Sequence, residues 1–293
     1  MKMGFLSSSF LFAIIGKIKK LFGIKLKRPL KVLNFEVNLA DHCNLNCKGC
    51  AHFCPVAEKK AYDVDVFERD SKRLSELTKR KVSYIELMGG EPLLNERIID
   101  FMRIARYYFD GTIKIVTNGI LLPKQKTEFW EACRDYRVEI VLSVYPIKID
   151  VEKIYDMADR YGVKITGRKE DGSESKLWYR YKMDLNGTQN AVQNFYSCSA
   201  ANTYIHLMDG KLTTCHAPLN SENFNHFFGN KLHLSQADYI DIYKVKNLRQ
   251  ILKFLSKPIP YCRYCRPNSS ELTNWEVSKK DISEWADVRE IRG

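Results

Sequence analysis

Residues 31–50 read KVLNFEVNLADHCNLNCKGC. The first ten of these residues are rich in apolar side chains and predict a strand. The loop that follows carries Cys43, Cys47 and Cys50 in the spacing C-x3-C-x2-C. Thiolates are the usual ligands of iron–sulfur clusters, and a cube of four irons offers four positions for ligands. Three cysteines would leave one iron open to another molecule, as a catalytic metal keeps a position for substrate. The segment therefore predicts a reactive cluster site.

The same segment offers a second ligand set. Cys47, Cys50 and Cys54, followed by Pro55, match the tail of the bacterial ferredoxin run C-x2-C-x2-C-x3-C-P. The first position of that run falls on Asn44, and no further cysteine follows until Cys133. We favour the three-cysteine site and expect Cys54 to be a small, partly buried thiol. The ferredoxin arrangement remains the alternative.

Strands and helices alternate along the first half of the chain. The predicted strands are 31–40, 82–87, 112–117, 138–144 and 163–166, and the predicted helices are 64–79, 96–109, 124–136 and 151–161. Helices of this length between short strands indicate parallel βα units. Such units form an open sheet or close toward a barrel, and in both cases the chemistry lies at the carboxyl ends of the strands.

The alternation stops after about residue 170, so we place a domain boundary there: 1–28, 29–190 and 191–293 are treated as three parts. The stretch 167–187 is polar, and Asp171-Gly172-Ser173 within it predicts a loop. Asp209-Gly210 between the runs 204–208 and 211–215 predicts a hairpin. Residues 245–255 predict a helix that ends before Pro258.

Composition and charge limit the classes of function. A hydrophobic content of 45% supports a full core. The net charge is +12, but residues 1–28 hold seven Lys/Arg and no acid, which leaves 40 basic against 35 acidic residues elsewhere. The remaining +5 gives little reason to expect a nucleic-acid partner. Nine cysteines, an odd number with several at cluster spacings, argue against a disulfide framework and favour a reducing cytoplasm.

Residues 1–28 predict a basic amphipathic helix. Apolar side chains at positions 11, 14, 15, 18, 21 and 22 follow helical spacing, with lysines between them. The apolar run 10–15 is too short to span a bilayer. We expect this helix to lie on an anionic membrane surface, at the inner face of the membrane. The alternative is a helix that packs on the body or on a second subunit. The basic residues follow the apolar run, and this order argues against a signal peptide.

The cluster loop resembles that of the radical S-adenosylmethionine (SAM) enzymes. Gly89-Gly90-Glu91-Pro92, at the end of the second predicted strand, is similar to the GGEP motif of that family. The resemblance implies a partial (β/α)6 barrel in 29–190 and a 4Fe-4S cluster on Cys43, Cys47 and Cys50 whose open iron binds SAM. It also implies an external reductant such as flavodoxin or ferredoxin. Gly49 departs from the family pattern, which usually has an aromatic residue there.

Further residues receive roles from the same resemblance. The backbone of Gly89, Gly90, Glu91 and Pro92 would hold the SAM amine, Asn118 would lie near its methionine group, and Ser143 would bond a ribose hydroxyl. Without the resemblance, Thr117-Asn118-Gly119 would be read as a turn. Arg168, at the end of the fifth strand, could bind a carboxylate of SAM or of a substrate.

Four later cysteines form a second set: Cys198, Cys215, Cys262 and Cys265. With Gly210 five positions before Cys215, this spacing resembles the twitch-type auxiliary-cluster domain of the SPASM/twitch subgroup. The resemblance implies a second, auxiliary 4Fe-4S cluster held by all four thiolates in 191–293. A structural zinc site is the alternative, because four thiolates also suit tetrahedral zinc. Cys133 lies in a predicted helix and is expected in the core.

The expected function is that of a radical SAM oxidoreductase. In layout the chain resembles the aminocyclitol dehydrogenase of butirosin-like pathways, which implies oxidation of a secondary alcohol on a sugar or another small molecule, with a role in surface-polysaccharide biosynthesis. Arg168, Tyr145 and His216 are candidates for the base that removes the hydroxyl proton, by position only. A peptide- or protein-modifying radical SAM enzyme and a non-enzymatic iron–sulfur electron carrier are the alternatives.

Overall fold

The computed structural model describes residues 30–143, 145–167, 177–180, 182–229, 231–269 and 271–287. The basic segment 1–28 and Arg168 lie outside these residues, so the predictions made for them are not addressed by the structure. The described part is an α/β protein with a sheet of mostly parallel strands, as expected. None of the described helices has the length and apolar character needed to cross a membrane.

The main sheet has the strand order β5-β4-β3-β2-β1-β7-β8-β9. Its strands are β1 Leu33–Ala40, β2 Val82–Gly89, β3 Thr112–Thr117, β4 Val138–Leu142, β5 Ile165–Gly167, β7 His206–Met208, β8 Lys211–Thr213 and β9 Ile240–Asp241. β1 to β5 are parallel neighbours, and β7 pairs in parallel with the other edge of β1. The five predicted βα strands are therefore confirmed within a few residues, and their carboxyl ends meet at one edge.

The helices follow the predicted alternation. They are α1 Val64–Thr78, α2 Ile98–Tyr108, α3 Thr127–Asp135, α4 Val151–Tyr161, α5 Ala191–Ser197, α6 Ala217–Phe228 and α7 Leu248–Leu255. Alternate residues of β1, such as Phe35 and Val37, enter the core together with Phe67 of α1 and Phe101 of α2. Because side chains alternate along a strand, Glu36 and its polar neighbours point to the opposite face. That inner face of the sheet is polar.

The predicted hairpin and the last predicted helix are both confirmed. β7 and β8 are antiparallel, and the turn residues Asp209 and Gly210 have φ values of 47° and 73°. Two consecutive residues with positive φ are typical of the type I′ turn that Asp-Gly favours. α7 begins later than predicted because the side chain of Asn247 caps it by accepting from the backbone N–H of Gln250.

One strand in the polar stretch was not predicted. β6, Leu177–Arg180, pairs in antiparallel fashion with β10, Glu271–Asn274, in a separate two-stranded sheet. Local composition could not predict this pairing, because the partner lies about ninety positions away. The loop predicted at Asp171-Gly172-Ser173 lies outside the described residues. α5 and α6 were also missed.

A second apolar core connects the cluster loop to the C-terminal part. Phe53 and Val56 follow the three cysteines, and they pack with Phe195, Phe224 and Trp285. The rings of Phe53 and Phe224 lie 5.4 Å apart. The loop therefore has the barrel strands on one side and the C-terminal core on the other.

Candidate iron–sulfur and cofactor site

A cavity of about 220 Å³ lies at the carboxyl ends of β1 to β4. Nine of the predicted site residues line it: Cys43, Cys47, Cys50, Gly89, Gly90, Glu91, Asn118, Ser143 and Tyr145. Pro92 is buried in the adjacent turn, Pro92–Leu94. The fold thus brings the cysteine loop together with the ends of the next three strands.

The conformation of the cluster loop explains Gly49. This residue has a φ of 66°, in the left-handed region, where glycine is unstrained and an aromatic residue is not. An aromatic ring approaches the loop from elsewhere in the chain, since Nε1 of Trp285 donates to the carbonyl of Cys50 at 2.8 Å. The departure from the family pattern therefore follows from the backbone.

Residues 275–285, which we term the covering segment, run along the cluster loop. The backbone N–H of Lys48 donates to the carbonyl of Glu276 at 2.9 Å, and that of Ser278 donates to Asn46 at 2.8 Å. These bonds flank an antiparallel bridge between Cys47 and Val277. The covering segment, which belongs to the C-terminal part of the chain, therefore holds the backbone of Cys47 in place.

The thiols around the cavity differ in their readiness to ionise. The sulfurs of Cys50 and Cys54 lie 3.7 Å apart, and this contact lowers the pKa of Cys50 to about 6 while the pKa of Cys54 is raised. Burial raises the pKa of Cys43 to about 12. The thiolate is the form that binds metal. Within this pair, Cys50 is therefore the thiol that ionises and Cys54, which is 4% exposed, the one that keeps its proton.

The two glycines of the GGEP motif are required by the protein's own backbone. The N–H of Gly90 donates to the carbonyl of Ala40 at 2.7 Å, and that of Glu91 donates to His42 at 3.1 Å. A Cβ on Gly90 would lie only 1.9 Å from the carbonyl oxygen of His42. The sequence analysis did not anticipate this close approach, which joins the end of β2 to the chain just before Cys43.

Glu91 and Asn118 connect the strand ends to the cysteine loop. The buried Glu91 carboxylate accepts from the Thr117 hydroxyl at 2.6 Å and from the backbone N–H of Asn118 at 3.0 Å. Burial raises the pKa of Glu91 to about 7, against the opposing effect of these donors. The side-chain amide of Asn118 donates to Asn44 Oδ1 at 2.8 Å and lies 3.7 Å from the Cys43 sulfur.

The second cysteine set converges in the C-terminal part. Cys198 caps the C-terminal end of α5, and Cys215 follows β8. Cys262 lies within the turn Pro260–Tyr264, and Cys265 follows that turn directly. Burial raises the pKa of Cys215, and the thiols of the other three cysteines raise it further. The Asn194 amide donates to the carbonyl of Cys262 at 3.0 Å. The four thiols are therefore near one another, with Cys262 buried and the other three half-buried.

The spacing of these sulfurs is wider than a zinc site requires. Thiolates on one tetrahedral zinc lie about 3.8 Å apart, given Zn–S bonds of about 2.3 Å. Within the described part of the chain, no three cysteine sulfurs all lie within 4.8 Å of one another. No three of the four sulfurs therefore stand at the spacing of ligands on one zinc ion.

Tyr145 and His216, the two candidates for the catalytic base that the structure describes, occupy different environments. Burial raises the pKa of Tyr145, and the thiols of Cys47 and Cys50 raise it further, so its hydroxyl stays protonated and suits hydrogen-bond donation. His216 lies instead on the inner face of the sheet, with its Nδ1 3.5 Å from Oε1 of Glu36.

The group of largely buried side chains around His216 was not predicted. Nδ1 of His206 lies 3.2 Å and Nε2 of His52 lies 4.0 Å from the same Glu36 oxygen. The available signal was the alternation Asn34, Glu36, Asn38 in an otherwise apolar strand, which indicates a polar inner face.

Comparisons with known proteins agree with this geometry. A family model described as "4Fe-4S single cluster domain" matches residues 36–161. A probable GTP 3',8-cyclase of Pyrococcus abyssi is 30% identical over 154 residues, which cover 53% of this chain and 47% of that protein. A probable GTP 3',8-cyclase of Thermoplasma volcanium is 33% identical over 114 residues, 39% of this chain and 34% of that protein. The chain thus matches a third to a half of the length of these curated relatives.

Among solved structures, that of BtrN in complex with AdoMet and 2-DOIA is similar to this fold. The TM-score is 0.52 at 16% identity, and the match covers 88% of this chain and 99% of that one. At this identity the similarity concerns the fold.

The parallel sheet and the three-cysteine loop at its edge define the class, an iron–sulfur protein built on the radical SAM fold. The family match over residues 36–161 and the partial matches to the cyclases support a radical SAM core in this part of the chain, and the likeness to BtrN over the whole chain concerns the fold.

Proposed function

We propose that this chain is a radical SAM oxidoreductase that dehydrogenates a polar, hydroxyl-bearing small molecule such as a sugar or an aminocyclitol. The observation that carries the proposal is the cavity in which the three cysteines meet Gly90, Asn118 and Ser143. When bound, a reduced cluster with SAM supplies a 5′-deoxyadenosyl radical that removes hydrogen from a substrate carbon.

The chain's own residues have defined tasks in this proposal. Cys43, Cys47 and Cys50 would hold the first cluster, and the ends of β2 to β4 would bind SAM. The covering segment would limit access of water and oxygen to the loop. Cys198, Cys215, Cys262 and Cys265 would hold an auxiliary cluster, a suitable acceptor for the second electron of a dehydrogenation.

The inner face of the sheet supports a polar substrate. Nζ of Lys114 lies 3.5 Å from Glu86 and 4.3 Å from the centre of the Tyr84 ring. Lys164 and Glu139 pair at 3.0 Å further along the sheet. Burial raises the pKa of Glu86, although Lys114 opposes the shift. Charged side chains of this kind can bind the hydroxyl and amino groups of a substrate. Bonds to the substrate would then replace the hydrogen bonds that the protein groups make to one another or to water.

A GTP-directed reaction is the second candidate, because the curated relatives are GTP 3',8-cyclases. Those matches cover only part of each relative, whereas the similarity to BtrN extends over nearly the whole of both chains. The overall layout therefore favours the dehydrogenase, and GTP belongs in the substrate panel.

The test is SAM cleavage by the anaerobically reconstituted protein with dithionite. We expect 5′-deoxyadenosine to form, and about eight irons per chain if both clusters are present. Cys50→Ser should abolish the product, and Cys133→Ser, at a buried cysteine of α3 outside the cavity, should retain it. A panel of nucleotide sugars, aminocyclitols, GTP and peptides would then identify the substrate class. No SAM binding by the reconstituted protein would contradict the proposal and favour an electron carrier.

We also propose that the basic segment 1–28 contacts an anionic membrane surface. Supporting this, Leu30 borders a shallow surface pocket shared with Arg249, Lys253 and Lys257, so the described chain starts beside further basic residues. Liposome co-sedimentation should recover more of the intact chain than of one starting at Pro29. Equal recovery of both would contradict this proposal.

A further inference from the structure

The buried group of Glu36, His52 and His216 is not explained by either cysteine set. Glu36 lies on β1, His52 follows the first cysteine loop, and His216 follows Cys215. The group therefore lies between the two cysteine sets, on the polar face of the sheet. One ligand atom from each of the three residues lies within 4.8 Å of the other two.

The carboxylate of Glu36 is buried without hydrogen bonds. Its side chain is 2% exposed, and neither oxygen has a hydrogen-bond partner among the described residues. Burying a carboxylate that makes no hydrogen bonds costs free energy of folding unless a cation balances its charge. The imidazole nitrogens of His52, His206 and His216 lie between 3.2 and 4.0 Å from its Oε1.

His52 and His216 each direct a ring nitrogen toward this carboxylate. Nε2 of His52 lies 4.0 Å and Nδ1 of His216 lies 3.5 Å from Oε1 of Glu36. The other ring nitrogen of His52, Nδ1, has no hydrogen-bond partner among the described residues. Neutral imidazole is the form that binds metal ions.

We propose that Glu36, His52 and His216 bind a divalent transition-metal ion. Two imidazoles and one carboxylate are a common ligand set for zinc and for non-haem iron, and the set leaves positions open to a further ligand. The distance of 3.5 Å between Glu36 Oε1 and His216 Nδ1 equals the separation of two ligands on one tetrahedral ion, about 3.4 Å at bond lengths of about 2.1 Å. Nε2 of His52 lies 4.0 Å from the same oxygen, and because the His52 ring is stacked on that of His216 with centroids 4.6 Å apart, it must shift and turn to direct this nitrogen at the ion.

The residues next to the three proposed ligands are placed to orient them. His206 lies 3.2 Å from Glu36, and its Nε2 lies 3.5 Å from the Asn220 amide. Asn38 donates to Asn220 at 2.6 Å. Partners of this kind orient the ligands of metal sites. His52 also lines the cysteine cavity, so an open position of the ion would face the substrate space; this last point rests on the proposed function.

Zinc binding by the holoprotein tests the proposal. Anaerobic protein with both clusters is equilibrated with Zn²⁺ and desalted, and zinc and iron are measured in the same sample. We expect one zinc per chain with iron unchanged, and nitrogen and oxygen ligands at about 2.0–2.1 Å by X-ray absorption. Glu36→Gln should weaken zinc binding by at least about 100-fold with iron retained. His226→Gln, at an exposed histidine paired with Glu58, should bind zinc as the wild type does.

A second variant covers the case in which Glu36→Gln does not fold. His216→Gln should show the same loss of zinc with iron retained. Wild-type protein without bound zinc, zinc with sulfur ligands at the expense of iron, or full zinc binding by either variant would overturn the proposal. Failure of SAM cleavage with normal zinc binding would instead count against the proposed function alone.

Discussion

At the scale of single residues, Glu91 shows how one side chain connects two strand ends. Its carboxylate accepts hydrogen bonds from the Thr117 hydroxyl and from the backbone N–H groups of Leu93 and Asn118. The residue is 1% exposed and makes these bonds within the protein, so it positions the neighbouring backbone. Substitutions of Glu91 should therefore act through stability and loop placement.

Glu91→Gln should destabilise the apoprotein, with a dependence on pH. The pKa of Glu91 is raised from 4.5 to about 7 in the folded state, so the folded protein binds more protons between these values. The stability that this proton uptake contributes is fully present below pH 4.5 and is lost as pH rises through 7. The difference in free energy of unfolding between wild type and variant should grow by up to about 3 kcal/mol from pH 8 to pH 5. Urea unfolding at several pH values measures it.

The control for this substitution is Glu58→Gln, because that carboxylate is 78% exposed. It should change stability by less than about 0.5 kcal/mol at each pH. A Glu91→Gln difference that stays constant or shrinks as pH falls would show that the carboxyl does not titrate as described.

At the scale of elements, the covering segment is the part of the chain that fixes the cluster loop from outside the barrel. Its bonds to Asn46, Lys48 and Cys50 are made by backbone groups, one indole and the ion pair between Glu276 and Lys48. Because these contacts flank Cys47, loosening the segment should expose the first cluster while leaving the βα units intact.

Ser278→Pro tests this role. Proline lacks the N–H that Ser278 donates to Asn46. Ser278→Ala keeps that bond and loses the two bonds of the hydroxyl, which donates to Glu284 and accepts from the backbone N–H of Lys280. We expect the proline variant to release iron from the three-cysteine site to a chelator at least about fivefold faster than the alanine variant, because a net hydrogen bond contributes about 1 kcal/mol. Equal rates for the two variants would rule out the role of this bond.

The elements also show what the sequence could and could not predict. The βα units, the Asp209-Gly210 hairpin and the cavity at the strand ends follow from local periodicity and motif spacing. The β6–β10 pairing and the group around Glu36 join residues far apart in sequence, and no spacing rule relates them. The requirement for glycine at position 90 could not be predicted either, because it depends on the distance between this residue, after β2, and the carbonyl oxygen of His42, after β1.

At the scale of the whole molecule, the C-terminal part completes the N-terminal part. β7 occupies the free edge of β1, where the N–H of Glu36 donates to the carbonyl of Ile205 at 2.8 Å. Phe53 from the cluster loop is buried in the second core. The proposed boundary near residue 190 therefore separates two regions that share a sheet and a core.

Fragments divided at this boundary should not fold independently. Residues 30–190 alone would leave the β1 edge unpaired and expose Phe53 and Val56, both buried in the intact chain, so the fragment should bind the dye ANS and lack near-UV circular dichroism. Residues 191–293 alone would lose the β1 partner of β7. Because the shared surfaces are complementary, co-expression should yield a complex that assembles iron like the intact chain, which serves as the control. Cooperative unfolding of fragment 30–190 by itself would show that the two regions are separate domains and that the second core is not needed to hold the cluster loop.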